Sequence, residues 1–201
     1  VKAYFDQVEG VLWANRNSPK ANFASQMHEG YMSLGAFGTA GMFIDEAPVK
    51  GIMYRAVHLA DLFIAENQHG LIDTVYRRFE VSARVALQMF SDGDLSDEIR
   101  KCAMEKPDER IKLLHVVMPR RDRDPQRADR KNKPIYSAYY EVKTKNLIEE
   151  GGFDTMPFVV NRYNSGPRET YGRSPAMTIL PDIKMLNEMS KTVIRAAQKV
   201  V

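Results

Sequence analysis

The sequence has little of what secreted, membrane-bound and disulfide-stabilised proteins require. Cysteine occurs once in 201 residues, at Cys102, which excludes an internal disulfide framework and fits a reducing compartment such as a cytoplasm. No apolar run approaches the roughly 18 residues of a membrane-spanning helix, and no charged leader followed by an apolar stretch marks a secretion signal. We therefore expect a protein without a membrane partner.

Metal-binding patterns are also missing. The histidines are scattered along the chain and Cys102 has no second cysteine near it, so no zinc-ligand spacing exists. Asp92 and Asp94 begin like a calcium loop, but Ile99 and Ala103 occupy positions at which such a loop supplies ligands. An acidic turn before a helix explains these residues better. We expect neither a metal nor a cofactor.

Signatures of catalysis are equally weak. Gly35, Gly38 and Gly41 do not have the spacing of a phosphate-binding loop, and no Gly-Lys-Ser/Thr follows them. No local pattern places an oriented base beside a serine or a cysteine. Carboxylates are abundant, as on any solvated surface, and no pair stands out. We therefore expect a protein that is not an enzyme.

What is present indicates a globular protein of mixed structure. Hydrophobic residues make up 44% and charged residues 27% of the chain, which is ordinary for a folded domain. Apolar residues at helical spacing predict two helices at the start, the second beginning at Ser18-Pro19 and ending at the glycines of 35–41.

Strand patterns rich in β-branched and aromatic residues follow in two groups. The first covers 52–59, 62–66 and 71–81, with a turn at 67–70, and the second covers 111–117, 135–142 and 158–163, with a turn at Gly151-Gly152. Between the groups, Ser82 and Ser96 are predicted N-caps of two helical segments that end before Pro107. This order predicts an α+β fold in which a compact β subdomain lies between two long helical elements that pack together.

The most regular pattern lies at the end of the chain. Ser174-Pro175 starts a helix, and Pro181 either kinks that helix or begins a separate, longer one. One face carries apolar residues that we expect to pack on neighbouring helices: Ile183, Leu186, Val193 and Ala197. Another face carries a basic stripe that only Glu188 interrupts: Lys184, Lys191, Arg195 and Lys199. Taken alone, the stripe fits a solvated face as well as a surface that attracts phosphates.

Positive charge is also concentrated in one loop. The formal net charge is only +3, too small to indicate nucleic-acid binding, but seven cations face three acids between 118 and 134, a local excess of four. Six of these cations are candidate contacts with partners: Arg120, Arg121, Arg123, Arg127, Arg130 and Lys131. A merely solvated loop is the simpler interpretation, and contact with phosphates or with an acidic protein surface is the alternative.

Several longer stretches are similar to one protein family. The run Tyr171-Gly172-Arg173-Ser174-Pro175-Ala176-Met177, followed by Leu180-Pro181-Asp182-Ile183-Lys184, resembles the portal, or head-to-tail connector, family of short-tailed bacteriophages. Supporting stretches lie at 73–79, 115–120 and 152–158. The resemblance covers essentially the whole chain. Family members extend further at both ends, and neither end of this chain carries a clear helix start or stop, so we expect a central fragment of a portal protein.

The resemblance implies a division of the chain and a set of partners. It implies a partial wing at 1–80, a first helical stem region at 81–107, a β-rich clip at 108–171 and a second stem helix at 172–201. It also implies a homo-oligomeric ring, which is a dodecamer in the full-length protein. Double-stranded DNA passes through this ring without sequence preference, and the basic stripe faces the channel. The implied partners are terminase, scaffold, capsid and tail adaptor proteins, at the head-tail vertex of the virion and in the host cytoplasm during assembly.

Two other functions are compatible with parts of the sequence. A nucleic-acid-processing enzyme, such as a phage nuclease, would need a carboxylate cluster that binds Mg²⁺, and no cluster stands out. A plain DNA-binding module would carry a larger net charge than +3. A ring with a central hole, formed by the full-length protein, distinguishes the portal function from both.

Overall fold

The computed structural model describes residues 1–47, 51–90, 95–124, 126–127 and 129–200. The helices are α1 (Lys2–Arg16), α2 (Phe23–Phe37), α3 (Ala83–Met89), α4 (Asp97–Glu105) and α5 (Pro175–Val200). The strands are β1 (Thr39–Glu46), β2 (Ile52–Val57), β3 (Leu62–Glu66), β4 (Ile72–Ser82), β5 (Arg110–Pro119), β6 (Ile135–Glu141), β7 (Leu147–Phe153) and β8 (Phe158–Arg162). These elements confirm the predicted α+β class. Asp92 and Asp94, considered above as the start of a calcium loop, lie outside the described residues.

Two antiparallel sheets form the body of the chain. The smaller sheet has the order β2-β1-β8, and the larger has the order β3-β4-β5-β6-β7. In the smaller sheet, Gly41 of β1 lies opposite both Val57 and Val160. The central strand β1 therefore joins the beginning of the β-rich region to its end.

The core lies on one face of the larger sheet. One buried cluster joins the two sheets and includes Phe43, Val57, Ile64, Val75, Val117 and Phe158. A second cluster joins α3 and α4 to the other end of the same face and includes Phe79, Ala86, Ile99 and Leu113. Full burial of one such large apolar side chain stabilises the fold by about 1.5–3 kcal/mol.

The helix α5 contacts α2. The side chain of Ser174, just before α5, donates a hydrogen bond to the carbonyl oxygen of Ala36 in α2 at 2.8 Å. The predicted stem region 81–107 holds α3 and α4 instead, and α3 packs on β4 and β5 with α4 beside it. This packing favours α2 over residues 81–107 as the helical partner of α5.

The larger sheet crosses the predicted boundary between wing and clip. β4 pairs with β5 from Val75 opposite Val117 to Ser82 opposite Arg110. The larger sheet is therefore one hydrogen-bonded unit with strands on both sides of α3 and α4. The boundaries at 80 and 108 stay a prediction. They do not coincide with the limits of the hydrogen-bonded larger sheet.

The helix starts follow the predicted capping patterns only in part. α2 begins at Phe23, after Asn22 in the left-handed conformation (φ 55°), so the predicted start at Ser18-Pro19 is wrong. Ser82 occupies the cap position of α3, but its side chain makes no capping hydrogen bond. Ser96 caps α4 as predicted, because its hydroxyl accepts a hydrogen bond from the N–H of Ile99 at 3.4 Å.

β1 and β7 also depart from the prediction. The glycines of 35–41 are expected to end α2, and α2 does end at Phe37, before Gly38. The sequence pattern does not predict β1, whose residues 39–46 form the central strand of the smaller sheet. Gly151 and Gly152 lie inside β7, opposite Ser137 and Tyr136, so the predicted turn is wrong. A Cβ atom on Gly152 would lie 2.7 Å from the carbonyl oxygen of Ile135, and glycine is what permits this close approach.

α5 is one continuous helix with Pro181 inside it. Of the two predicted possibilities, the separate helix beginning at Pro181 is therefore wrong. The hydroxyl of Ser174 accepts a hydrogen bond from the N–H of Met177 at 2.9 Å, which confirms Ser174 as the cap. Proline has no N–H, so the helix lacks one internal hydrogen bond at Pro181.

Candidate nucleic-acid and subunit interface

The predicted basic and apolar rows lie on opposite faces of α5. At 100° per residue, the apolar row falls within an arc of about 80°: Ile183, Leu186, Val193 and Ala197. The basic row falls within a second arc of about 80°, whose centre is about 160° away from the first: Lys184, Lys191, Arg195 and Lys199. A surface that covers one row therefore leaves the other row free.

Both rows are uncovered in the single chain. All side chains from 177 to 199 are exposed, and Leu186 and Val193 are 59% and 68% exposed. A continuous apolar row that faces water marks a contact surface. In the basic row, Lys191 lies 3.3 Å from Glu188, one turn away. An exposed pair of this kind contributes only about 0.3–0.5 kcal/mol, so it does not hold Lys191 back from another partner.

The start of α5 is anchored to the body by buried hydrogen bonds. Ser174 is 1% exposed and bridges Ala36 and Met177 through its hydroxyl. The N–H of Gly172 donates to the hydroxyl of buried Thr39 at 2.8 Å. The direction of α5 is therefore set by β1 and by the end of α2.

The segment that leads into α5 is also tied to β3. The hydroxyl of Tyr171 donates to the carbonyl of Leu62 at 3.3 Å and accepts from the N–H of Ile64 at 3.2 Å. Arg162 of β8 pairs with Glu66 and donates to the carbonyl of Thr170 at 3.3 Å. These bonds join both sheets to the base of the last helix.

Arg120, predicted as a partner contact, has partners within its own chain. Its guanidinium lies 3.0 Å from the Glu150 carboxylate and donates to the carbonyl of Gly151 at 3.0 Å. It also lies over the ring of Tyr136, 4.9 Å from the centroid. Only 13% of the Arg120 side chain is exposed, so it holds the end of β5 against β7.

The other loop cations divide into two groups. Arg127 pairs with Asp129 at 2.8 Å, and Arg130 pairs with Glu149 at 2.9 Å. Three cations have no ion pair in the part of the chain that the structure describes: Arg121, Arg123 and Lys131. These three have no competing ion pair, and the side chains of Arg127 and Arg130 are 67% and 73% exposed, so their pairs are weak and only Arg120 is held back from a partner.

A buried histidine lies at the centre of the body. His115 is 0% exposed, stacks on the ring of Tyr139 at 4.0 Å and shares a 2.9 Å hydrogen bond with the hydroxyl of Ser137. Burial, and secondarily the charge of Arg77, lower the pKa of His115 to about 3, so the ring is neutral at pH 7. Sequence reasoning missed this pair because 22 positions separate the two residues.

The pair of His115 and Ser137 does not have the arrangement of a catalytic dyad. A catalytic base needs a third group that orients its second ring nitrogen. The Nδ1 atom of His115 has no hydrogen-bond partner among the described residues. The pair therefore belongs to the core.

In the described part of the chain, no group of three or more histidine, cysteine, aspartate or glutamate side chains has the geometry to hold a metal ion. No described helix combines the length and the apolarity that crossing a bilayer requires.

Comparison with known proteins supplies the family. Residues 1–201 match the family model described as bacteriophage head to tail connecting protein. The chain belongs to this family. Connecting proteins are structural, which supports the expectation that the chain is not an enzyme.

Two phage proteins are similar to the chain at low sequence identity. The chain is 28% identical to the portal protein of Salmonella phage epsilon15 over 195 residues, which cover 95% of this chain and 35% of that protein. It is 27% identical to the probable portal protein of Bordetella phage BPP-1 over 173 residues, 83% of this chain and 31% of that protein. The chain thus spans about a third of the length of these relatives.

Proposed function

We propose that the chain is part of a portal subunit and that copies of the full-length protein form a closed ring through which phage DNA is packaged and ejected. The observation that carries this proposal is α5, which presents an exposed apolar row and an exposed basic row on opposite faces. Identical subunits that repeat one contact around an axis form closed rings. In the ring, the apolar row packs on neighbouring helices and the basic row faces the channel.

The basic row acts on DNA through weak attraction summed over many subunits. Lys184, Lys191, Arg195 and Lys199 are exposed, and attraction between exposed charges is screened within roughly 8–10 Å at physiological salt. Contacts with phosphates carry no sequence information. A dodecamer repeats the row around the channel, so DNA is held near the axis yet still slides.

The packing supports an arrangement of the stem that differs from the one expected from the sequence. In this arrangement α2 and α5, which meet where α2 ends and α5 begins, form the stem, and the β-rich body between them is the clip. Residues 81–107 then belong to the clip, since α3 packs on its larger sheet.

The loop cations serve contacts between proteins. Arg121, Arg123 and Lys131 are exposed and have no ion pair among the described residues, whereas Arg120 is held by Glu150 and Gly151 of its own chain. The exposed pairs of Arg127 and Arg130 are weak enough to exchange for a partner. Terminase and tail adaptor proteins are the expected partners of the clip, and scaffold and capsid proteins are those of other parts of the ring. The site of action is the head-tail vertex of the virion, reached after assembly in the host cytoplasm.

Imaging of the full-length protein by electron microscopy, with native mass spectrometry, tests the proposal. We expect rings with a central hole and one dominant mass that is a multiple of the subunit. A full-length protein that stays monomeric at all concentrations, with and without scaffold protein, would refute it.

A further inference from the structure

The joint between the body and α5, residues 169–174, is bonded to three different elements. Tyr171 contacts β3, Gly172 contacts β1 and Ser174 contacts the end of α2. The same residues belong to the longest run of the family resemblance. The anchors on Gly172 and Ser174 lie only two residues apart, whereas α5 extends far beyond them. Holding a long helix at a constant angle from so short a base requires further ties on the segment before it.

Arg162 of β8 supplies such ties. Its guanidinium pairs with Glu66 at the end of β3. It also donates to three carbonyls, those of Glu169 at 3.4 Å, Thr170 at 3.3 Å and Gly70 at 3.3 Å. Only 21% of the Arg162 side chain is exposed. One side chain therefore holds β8, the joint and the turn between β3 and β4 together.

The shape of the guanidinium explains why an arginine suits position 162. Arginine presents its N–H donors in a planar fork, whereas lysine ends in a single nitrogen. The Nη1 atom of Arg162 faces Glu66 and the joint, and the Nη2 atom faces the carbonyl of Gly70 in the turn. A lysine at this position would keep the charge beside Glu66 but could not serve both sides.

Arg173 offers a contrast within the joint itself. Its side chain is 70% exposed and pairs with Glu169, four positions earlier in the same segment. Its N–H donates to the carbonyl of Asn164 at 2.6 Å, a bond that does not depend on the side chain. The side chain of Arg173 thus ties the joint only to itself, whereas that of Arg162 ties the joint to the body.

A small change of angle at the joint becomes a large displacement along α5. Every side chain from 177 to 199 is exposed, so the body covers only the first residues of the helix. At 1.5 Å per residue, Lys199 lies roughly 38 Å from Ser174, and a tilt of about 10° moves it by roughly 7 Å. The placement of both rows of α5 therefore depends on how firmly the joint is held.

We infer that Arg162 is a positioning residue for α5, which keeps the helix and its two rows at a constant angle to the body. It acts through the joint and contacts neither row. The inference rests on the proposed ring function for the use that is made of the rows. The angle of α5 is nevertheless a property of the single chain, so it can be measured without a ring.

Distances between two spin labels measure this angle in dilute solution. The labels are attached after Lys112→Cys on β5 and Thr192→Cys on α5, two exposed positions, with Cys102→Ser to remove the native thiol. We expect a narrow distribution of distances in this background. In Arg162→Met we expect it to broaden by about 5 Å or more, because Thr192 lies roughly 27 Å along the helix from the joint.

Control variants separate the positioning role from other effects. Arg173→Met should keep the narrow distribution, since its side chain pairs only within the joint. Arg162→Lys should broaden it, and this variant also provides the comparison if Arg162→Met does not fold. A second label pair within the body, at Lys112 and Glu46, should stay narrow in every variant.

An unchanged α5 distribution in either Arg162 variant would overturn the inference. Equal broadening in Arg162→Met and Arg173→Met would do so too, because any lost cation near the joint would then suffice. Broadening of the body pair by the same amount would show that Arg162 only stabilises the whole fold. None of these outcomes involves ring formation by the full-length protein, which decides the proposed function separately.

Discussion

Gly38 and Gly172 lie backbone against backbone where α2 ends and the chain returns toward α5. Gly38 has a φ of +76°, and a Cβ atom added to either glycine would collide with backbone atoms of the other segment. The carbonyl of Gly38 also accepts a hydrogen bond from the N–H of Tyr163 at 2.9 Å. This crossing fixes the distance between the two helices that we assign to the stem.

Replacing Gly172 with alanine tests the crossing. Because the new Cβ would meet the backbone of Gly38, which cannot move without shifting β1, we expect a loss of about 1–3 kcal/mol in the free energy of unfolding. Gly35→Ala is the matched control, since nothing lies within 4 Å of its Cβ position in α2. Alanine there should stabilise the helix by about 0.5–1 kcal/mol. Urea unfolding measures both values, and equal effects would contradict the crossing.

Acid should destabilise the fold through His115. Its pKa is about 3 in the folded chain and about 6.5 when unfolded, so only the unfolded chain gains a proton between these values. Above pH 6.5 the full stability is present, and it falls by up to about 1.4 kcal/mol per pH unit as the pH drops toward 3.

The comparison with His115→Gln isolates this contribution, because glutamine keeps a hydrogen-bonding group but does not titrate. We expect the variant to be less stable than the wild type at pH 8 and to lose less stability between pH 7 and pH 5. The measurement is the free energy of unfolding against pH. Parallel curves for the two proteins would show that His115 has the same pKa in the folded and the unfolded chain, which would contradict its burial as a neutral ring.

Removing Arg120 and removing Arg127 should lower the stability of the single chain by different amounts. Arg120→Met removes the partner of half-buried Glu150, and we expect a cost of about 1–3 kcal/mol. Arg127→Met removes an exposed pair with Asp129 and should cost less than about 0.5 kcal/mol. Thermal unfolding compares the two. A larger effect for Arg127 would contradict the structural role of Arg120.

Much of the architecture follows from local patterns, but the pairing of distant segments does not. Capping by Ser96 and Ser174 and the turn after β3 are visible in the sequence, because they depend on neighbouring residues. The pairing of β1 with β8 is not, because no local pattern records which distant strand lies opposite Gly41. The glycines around β1 also resemble a helix end more than a central strand.

The candidate site shows the same division. The basic and apolar rows of α5 could be predicted because both lie on one regular helix. The partners of Arg120 and Arg130 could not, since both residues meet carboxylates of β7 that only the sheet brings near.

Substitutions in α5 should separate assembly from DNA contact. Leu186 is 59% exposed in the single chain, so Leu186→Asp should change the free energy of unfolding by less than about 0.5 kcal/mol yet block ring formation by the full-length protein. Replacing Lys184, Lys191, Arg195 and Lys199 with glutamine should leave rings intact and reduce DNA retention, most at low salt. Ring counts in micrographs and DNA retention at several salt concentrations provide the comparison. Unchanged retention would show that the basic row only keeps the helix soluble.

The central claim concerns the direction of α5 in the assembled ring, and a cryo-electron microscopy structure of the full-length protein tests it most directly. The account predicts a closed ring in which Lys184, Lys191, Arg195 and Lys199 point into the lumen, while Leu186 and Val193 pack against neighbouring helices. A closed ring whose lumen is lined by other residues, with these four side chains directed outward, would contradict it.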